Sequence, residues 1–185
     1  MRVIVGCERT QIVTQAFRAL GHEAYSIDLL PTEGNPEFHF QMDIRDFSDF
    51  SFFDLAIFHP DCTYLAVSGN RTYANSEQRK QAIEFVKWIW TLPVKKLAIE
   101  NPVGVLSSQF KKPTQYIHPW QYGHGETKKT CIWSRNLPLL IPTNIVFGRE
   151  NRIWRMGPSK KYNRQHERSR TYPGWANAMA QQWSV

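Results

Sequence analysis

Two polar groups in this 185-residue chain stand where a buried strand runs out: the thiol of Cys62 and the carboxyl of Glu100. A thiolate is a nucleophile and needs activation. A neighbouring carboxylate does not help a thiol ionise, so Glu100 has to act on the substrate. One reaction fits the pair: addition of the thiol to C6 of a pyrimidine, with the carboxyl group hydrogen-bonded to N3 and the adjacent amino group. Protonation at N3 makes the ring electrophilic, and the addition turns C5 into an enamine carbon that takes an electrophile from a cofactor. The competing reading is a packing thiol beside a salt-bridging acid. His59, three residues before Cys62, is either a base for the thiol or a packed side chain.

The elements that must hold these groups read as alternating strands and helices. Arg2–Gly6 predicts a first strand, Cys7–Thr10 a turn with Thr10 as N-cap, and Gln11–Leu20 a helix ending at Gly21. Glu23–Ile27 predicts a second strand ending at Asp28. A βαβ opening with an acid about 20 residues after its first turn is a nucleotide-binding arrangement, in which the carboxylate takes ribose hydroxyls. The glycine fingerprint is absent apart from Gly6, so a cofactor-free domain of the same shape is the alternative. A third strand is expected to end near Asp43, which either accepts from an adenine amino group or caps the next turn.

Asp54–Ile57 is a short apolar run, and Pro60 cannot donate to a sheet, so the strand before Cys62 stops there. Ser76 caps a helix ending before Pro93. Lys95–Ile99 is a strand leading into Glu100-Asn101-Pro102, the same order of apolar strand, polar group and proline. Two consecutive strands thus bring a thiol and a carboxylate to one sheet edge, where open α/β sheets bind ligands. Beyond them, Val103–Lys112 predicts a short helix, Pro113–Lys129 a loop, Thr130–Trp133 and Leu139–Ile141 late strands, and Pro173–Trp183 a terminal helix. The expectation is one α/β domain over residues 1–185, doubly wound around a mostly parallel sheet, with a basic loop or arm at about 147–170.

The net charge of +7 is unevenly placed: residues 1–110 carry 10 Lys and Arg against 13 Asp and Glu, and residues 111–185 carry 13 against 3. A basic half beside a mildly acidic one predicts a polyanion contact, and the interleaved Tyr116, Trp120, Tyr122, Trp133, Trp154 and Tyr162 suit base stacking beside phosphates. A solubilising basic surface is the alternative. No apolar run approaches the roughly 20 residues of a membrane span. Met1–Gly6 turns polar too soon for a signal peptide. Cys7, Cys62 and Cys131 are far apart and form no CxxC, so neither disulfides nor zinc are indicated, and His118, His124 and His166 have no ligand spacing. The expectation is a cytoplasmic protein without membrane or metal, with Cys7 and Cys131 as core thiols.

In this order along the chain the motifs resemble the DNA cytosine-5-methyltransferase family, which uses S-adenosylmethionine. Pro60-Asp61-Cys62 resembles its Pro-Cys nucleophile motif, and Glu100-Asn101-Pro102 its Glu-Asn-Val motif. Met42-Asp43-Ile44-Arg45-Asp46 resembles the Asp-Ile segment that contacts adenine, and Asp28 the ribose-binding acid. Gln121 to Trp133, with Lys128-Lys129-Thr130, loosely resembles the strand that supports a flipped base. Arg168 to Ala178 resembles the C-terminal segment whose Gly-Asn-Ala helix closes the cofactor site. The chain departs from the pattern where Asp61 replaces a second proline, which raises the Cys62 pKa if both face one space, and where Val5-Gly6-Cys7-Glu8-Arg9 replaces Phe-x-Gly-x-Gly. The target-recognition region is reduced to Phe147–Gln165 at most, as in small phage or prophage proteins.

The resemblance implies methyl transfer from S-adenosylmethionine to C5 of cytosine in DNA, single-stranded or at a short duplex site with the base flipped out. Cys62 and Glu100 are the implied catalytic residues. Pro60, Asn101, Lys128, Lys129, Arg168 and Arg170 are implied at the substrate, and Gly6, Glu8, Asp28, Asp43, Ile44 and Asn177 at the cofactor. The alternatives are a catalytically lapsed protein of this fold binding nucleic acid or a host or phage protein, and C5 modification of a free pyrimidine nucleotide.

Overall fold

Apolar runs without polar alternation call for strands covered on both faces. Val3, Ile4 and Val5, Leu55 to Phe58, and Leu97 to Ile99 are all inaccessible to solvent. The computed structural model describes residues 1–152 and 168–184. Among them are strands β1 (Arg2–Gly6), β2 (Glu23–Asp28), β3 (His39–Gln41), β4 (Leu55–Phe58), β5 (Lys96–Pro102), β6 (Gln115–Ile117) and β7 (Thr130–Arg135). They form one sheet in the order β3-β2-β1-β4-β5-β7-β6. Strands β1 to β5 pair in parallel, and β7 runs antiparallel between β5 and β6. The order reverses between β1 and β4, which opens a crevice at their C-terminal ends.

Side-chain alternation sorts the core into two layers. Val3, Val5, Leu55, Ile57 and Ala98 pack under α1 (Ile12–Ala19) and the C-terminal helix Pro173–Trp183, which contribute Phe17, Trp175, Met179 and Trp183. Ile4, Ala56, Phe58, Leu97 and Ile99 pack on the other face against Ile83, Val86 and Ile89 of helix Glu77–Thr91. Ser76 caps that helix by accepting from the Arg79 N–H at 3.2 Å.

Several expectations are corrected. Thr10 is not the cap of α1: the helix begins at Ile12 after Gln11, which has a left-handed φ of 56°, and the Glu8 carboxylate takes the first N–H groups. β5 does not end before Glu100 but continues to Pro102, because β7 pairs along its outer side, with Glu100 opposite Ile132 and Asn101 opposite Cys131. The stretch Pro113–Lys129 is not all loop, since β6 lies within it. Leu139–Ile141 is not a strand; the Gln115 side chain accepts from the Leu140 N–H at 2.8 Å and donates to its carbonyl at 2.7 Å, satisfying groups a strand would pair. The helix expected over Val103–Lys112 spans only Leu106–Gln109. Of the basic stretch 147–170, residues 153–167, with Trp154, Tyr162 and His166, lie outside the described residues.

Candidate active site

β4 and β5 pair with Phe58 opposite Ile99. One step further in that register His59 and Glu100 stand side by side, and alternation turns both towards the α1 face. His59 Nδ1 lies 3.1 Å from Glu100 Oε2, with the two side chains only 9% and 12% exposed. Glu100 Oε1 and His59 Nε2 are buried and lack a hydrogen-bond partner among the described residues. His59 is thus bonded to the carboxylate, and its pairing with Glu100 is the feature that reading Cys62 and His59 as neighbours in sequence missed. The signal was in the pattern: Ile57 and His59, and Ala98 and Glu100, share one face by period two.

Asn101 points to the opposite face and donates to the Pro60 carbonyl at 2.8 Å, fixing the chain just ahead of Cys62. Asp61 Oδ1 accepts from the Thr63 N–H at 3.0 Å and its hydroxyl at 2.7 Å, a turn that leaves Asp61 exposed. The Cys62 carbonyl accepts from the Leu65 and Ala66 N–H groups, starting the next turn. Burial pushes the Cys62 thiol up, Asp61 and Glu100 push it further, and Lys128 and Arg168 oppose them. Burial also pushes Glu100 up, but the His59 hydrogen bond and the positive charge of Lys128 outweigh it and hold the carboxyl below its ordinary range.

Lys128 and Lys129 part company. Lys128 donates to the Arg168 carbonyl at 2.9 Å and lies 5.7 and 5.8 Å from the Tyr172 and Trp175 ring centres, on the Glu100 side of the sheet. Lys129, one residue on, faces the other way and sits 4.1 Å over the Tyr116 ring. Arg170 does not join the thiol: it bonds Glu33 in the loop after β2 at 3.2 Å, and Arg9 lies against the same carboxylate at 3.2 Å.

The ends of β1, β2 and β3 make a second, acid-lined region. Cys7 turns the chain with a left-handed φ of 58°, a turn made here without a glycine at that position. Its thiol is pushed far up by burial and then by the negative charges of Asp28, Asp43 and Asp61. Asp28 accepts from the Leu30 N–H at 2.9 Å. Asp43 caps the turn Ile44–Asp46 and accepts from Arg45 Nε at 3.0 Å, a bond that holds its carboxyl low. Ile44 is buried below it in the second core layer. Gly6 has its Cα against Phe58: a Cβ there would stand 2.2 Å from the ring. Glu8 is buried with its carboxylate spent on α1, accepting from the Val13 N–H at 2.6 Å, the Thr14 N–H at 3.1 Å and the Thr14 hydroxyl at 2.7 Å. Asn177 is exposed on the C-terminal helix. No described group of His, Cys, Asp and Glu is arranged to hold a metal ion.

No family model matches the chain, and no curated protein matches it in sequence. Solved structures do match it in shape. A prophage-encoded E. coli protein assigned as a DNA modification methyltransferase superposes with a TM-score of 0.52 at 12% identity, over 79% of this chain and 52% of that one. The S. pombe Dnmt2 methyltransferase gives 0.48 at 16% identity over 83% and 53%, and a Spodoptera frugiperda DNMT2 variant 0.44 at 14% over 80% and 54%. The chain spans about half the length of these structures. The strand order and the first of these likenesses give it the doubly wound, Rossmann-like fold of S-adenosylmethionine-dependent methyltransferases.

Proposed function

We propose that the protein methylates C5 of cytosine in DNA, with Cys62 adding to C6 and Glu100 at N3. The observation that carries this reading is the delivery of a thiol and a buried, half-satisfied carboxylate to one edge by two adjacent parallel strands. A buried carboxylate oxygen without a partner is costly unless a ligand completes it. Glu100 Oε1 is that oxygen, and a cytosine N3 and amino group would complete it. Lys128 and Arg168 place positive charge at the thiol, which offsets in part the burial, Asp61 and Glu100 that keep it protonated.

The strand ends fit S-adenosylmethionine in part. Asp28 would take ribose hydroxyls, and the negative charge that Asp28, Asp43 and Asp61 bring to bear on Cys7 would suit a cationic sulfonium and ammonium. The Val13 and Thr14 N–H groups of α1 do not receive the cofactor's carboxylate, because Glu8 holds them. When bound, the cofactor would supply an electrophilic methyl group. The side chains of this protein do the rest: Asn101 fixes the Pro60 carbonyl and so the Cys62 loop, Glu100 holds the base edge, and Lys128 steadies the Glu100 charge. Residues 1–185 then act as one domain, with the basic C-terminal half, Lys129 and Arg170 included, along the nucleic-acid backbone. For Asp43, Ile44 and Asn177 the proposed role is in walling the cofactor cleft.

One observation favours a lapsed, nucleic-acid-binding protein instead: Glu8 occupies the helix end that faces the cofactor cleft. Labelled-methyl transfer separates the readings. Methylation of cytosine-containing DNA, with label recovered in 5-methylcytosine and none in dCMP, supports DNA methylation; label in dCMP alone supports nucleotide modification. DNA binding without transfer supports the lapsed protein.

A further inference from the structure

His59 is the most constrained group at the site to which the proposed reaction assigns nothing. It follows β4 directly, its backbone N–H donates to the Gly6 carbonyl at 3.0 Å, and its ring is 9% exposed. That bond ties it to β1 as well as to β4. With its backbone so held and its ring buried, Nδ1 meets Glu100 Oε2 at 3.1 Å. The consequence for Glu100 is asymmetric. Oε2 is taken, and Oε1 is left as the one buried oxygen of this carboxyl without a partner among the described residues.

We infer that His59 is a positioning residue: its Nδ1–H, donated to Oε2, orients the Glu100 carboxyl so that Oε1 alone meets the base, and stabilises the carboxylate left when the base takes a proton. This rests on the methyl-transfer reading above. The step balances as follows. Cys62 gives its thiol proton to water and forms the S–C6 bond, the C5–C6 π pair moves to C4–C5, the C4–N3 π pair moves onto N3, and N3 takes a proton from Glu100 Oε1, which the carboxylate has picked up from water as the base binds. Glu100 is left as a carboxylate, and a hydrogen bond to a charged acceptor is about twice as strong as one to a neutral acceptor. The His59 bond thus strengthens as the adduct forms.

The charged surroundings are compatible with this. Glu8 in the β1–α1 turn and Glu100 on β5 are the acids that sense His59. Lys128, ahead of β7, faces Glu100 and Cys62; Asp61 in the Cys62 loop and Arg168 in the C-terminal segment face the thiol. Because the His59 bond holds the Glu100 carboxyl low, its removal moves that carboxyl's titration upwards.

Two measurements test the inference. The first is covalent trapping on a 5-fluorocytosine oligonucleotide with S-adenosylmethionine, followed against pH. His59→Ala is expected to form adduct about 10- to 100-fold more slowly, the worth of a hydrogen bond to a charged group, with the acid limb of its profile moved to higher pH. His59→Asn, which places an amide N–H near the position of Nδ1, is expected to recover most of the rate. A merely structural histidine would lower the rate without moving the limb. The second needs no activity: carbon-13 titration of the Glu100 carboxyl in the folded, ligand-free protein. Its midpoint is expected at higher pH in His59→Ala than in wild type. Unchanged Glu100 titration in that variant overturns the inference even if the protein methylates DNA. A titration shifted in His59→Ala, beside a wild type that forms no adduct, sustains the pairing and overturns the methyl-transfer reading instead.

Discussion

Glu8 closes the N-terminus of α1 from three residues upstream of the helical cap, with its carboxylate 2.6 Å from the Val13 nitrogen and 3.1 Å from that of Thr14. A turn without the usual glycines leaves those N–H groups pointing into the protein, and a buried acid satisfies them. The left-handed turn at Cys7 and the side chain of Glu8 together replace what a glycine-rich loop and a bound anion do elsewhere.

That relationship predicts a pH effect on stability. Burial raises the Glu8 carboxyl above its ordinary range, against the bonds from Thr14 and Val13. A raised folded-state pKa means that its contribution is fully present below the unfolded pKa and is lost as pH rises through the folded value. Urea unfolding should therefore show wild type losing stability from the ordinary carboxylate range upwards, with Glu8→Gln flatter over the same window. Glu8→Ala, which strands the Val13 and Thr14 donors, should cost about 1–3 kcal/mol at any pH. A flat wild-type profile would contradict this account.

Gly6 and Phe58 make a packing prediction. A Cβ at Gly6 would sit 2.2 Å from Phe58 Cδ1 and 2.4 Å from Cε1. Gly6→Ala should destabilise by about 1–3 kcal/mol through overpacking. Combined with Phe58→Leu it should cost less than the sum of the two single changes. Additive costs in denaturant melts would show that the two side chains do not meet.

The electrostatics of the thiol are open to alkylation kinetics. Asp61 raises the Cys62 pKa and Lys128 lowers it. At neutral pH, Asp61→Asn should speed iodoacetamide modification of Cys62 about threefold and Lys128→Met should slow it, since the thiolate is the reactive form. Peptide mapping distinguishes Cys62 from Cys7 and Cys131. Equal rates in all three proteins would remove these residues from the account of the thiol.

Lys128 and Lys129 predict unequal effects from adjacent substitutions. Lys128→Ala should lower methyl transfer to DNA about tenfold, because it removes a positive charge that steadies the Glu100 carboxylate. Lys129→Ala, on the opposite face over Tyr116, should weaken DNA binding at low salt and leave the transfer step within about threefold. Matching losses from the two variants would mean that the sheet alternation does not govern their roles.

What was legible in the sequence followed from periodicity. The strands β1 and β4, the start of β5, the Ser76 cap and the terminal helix Pro173–Trp183 all lie within a residue or so of expectation, because each depends on local pattern. β6 and the length of β5 were not legible, because both depend on pairing with β7, a distant stretch. The same holds at the site. Cys62 and Glu100 could be placed at one edge from their strands, whereas the His59 bond to Glu100 needed the register of β4 against β5. Glu8 went to α1 instead of a ligand because the N–H groups it serves lie five and six residues further on, beyond any cap motif.

The central claim is that Cys62 forms a covalent bond to cytosine C6. It is tested most directly by incubating wild type and Cys62→Ser with S-adenosylmethionine and a 5-fluorocytosine oligonucleotide, then mapping any crosslinked peptide by mass spectrometry. A stable adduct is expected in wild type, mapped to Cys62, and none in Cys62→Ser. No adduct in wild type, or equal adduct in the two proteins, would contradict it.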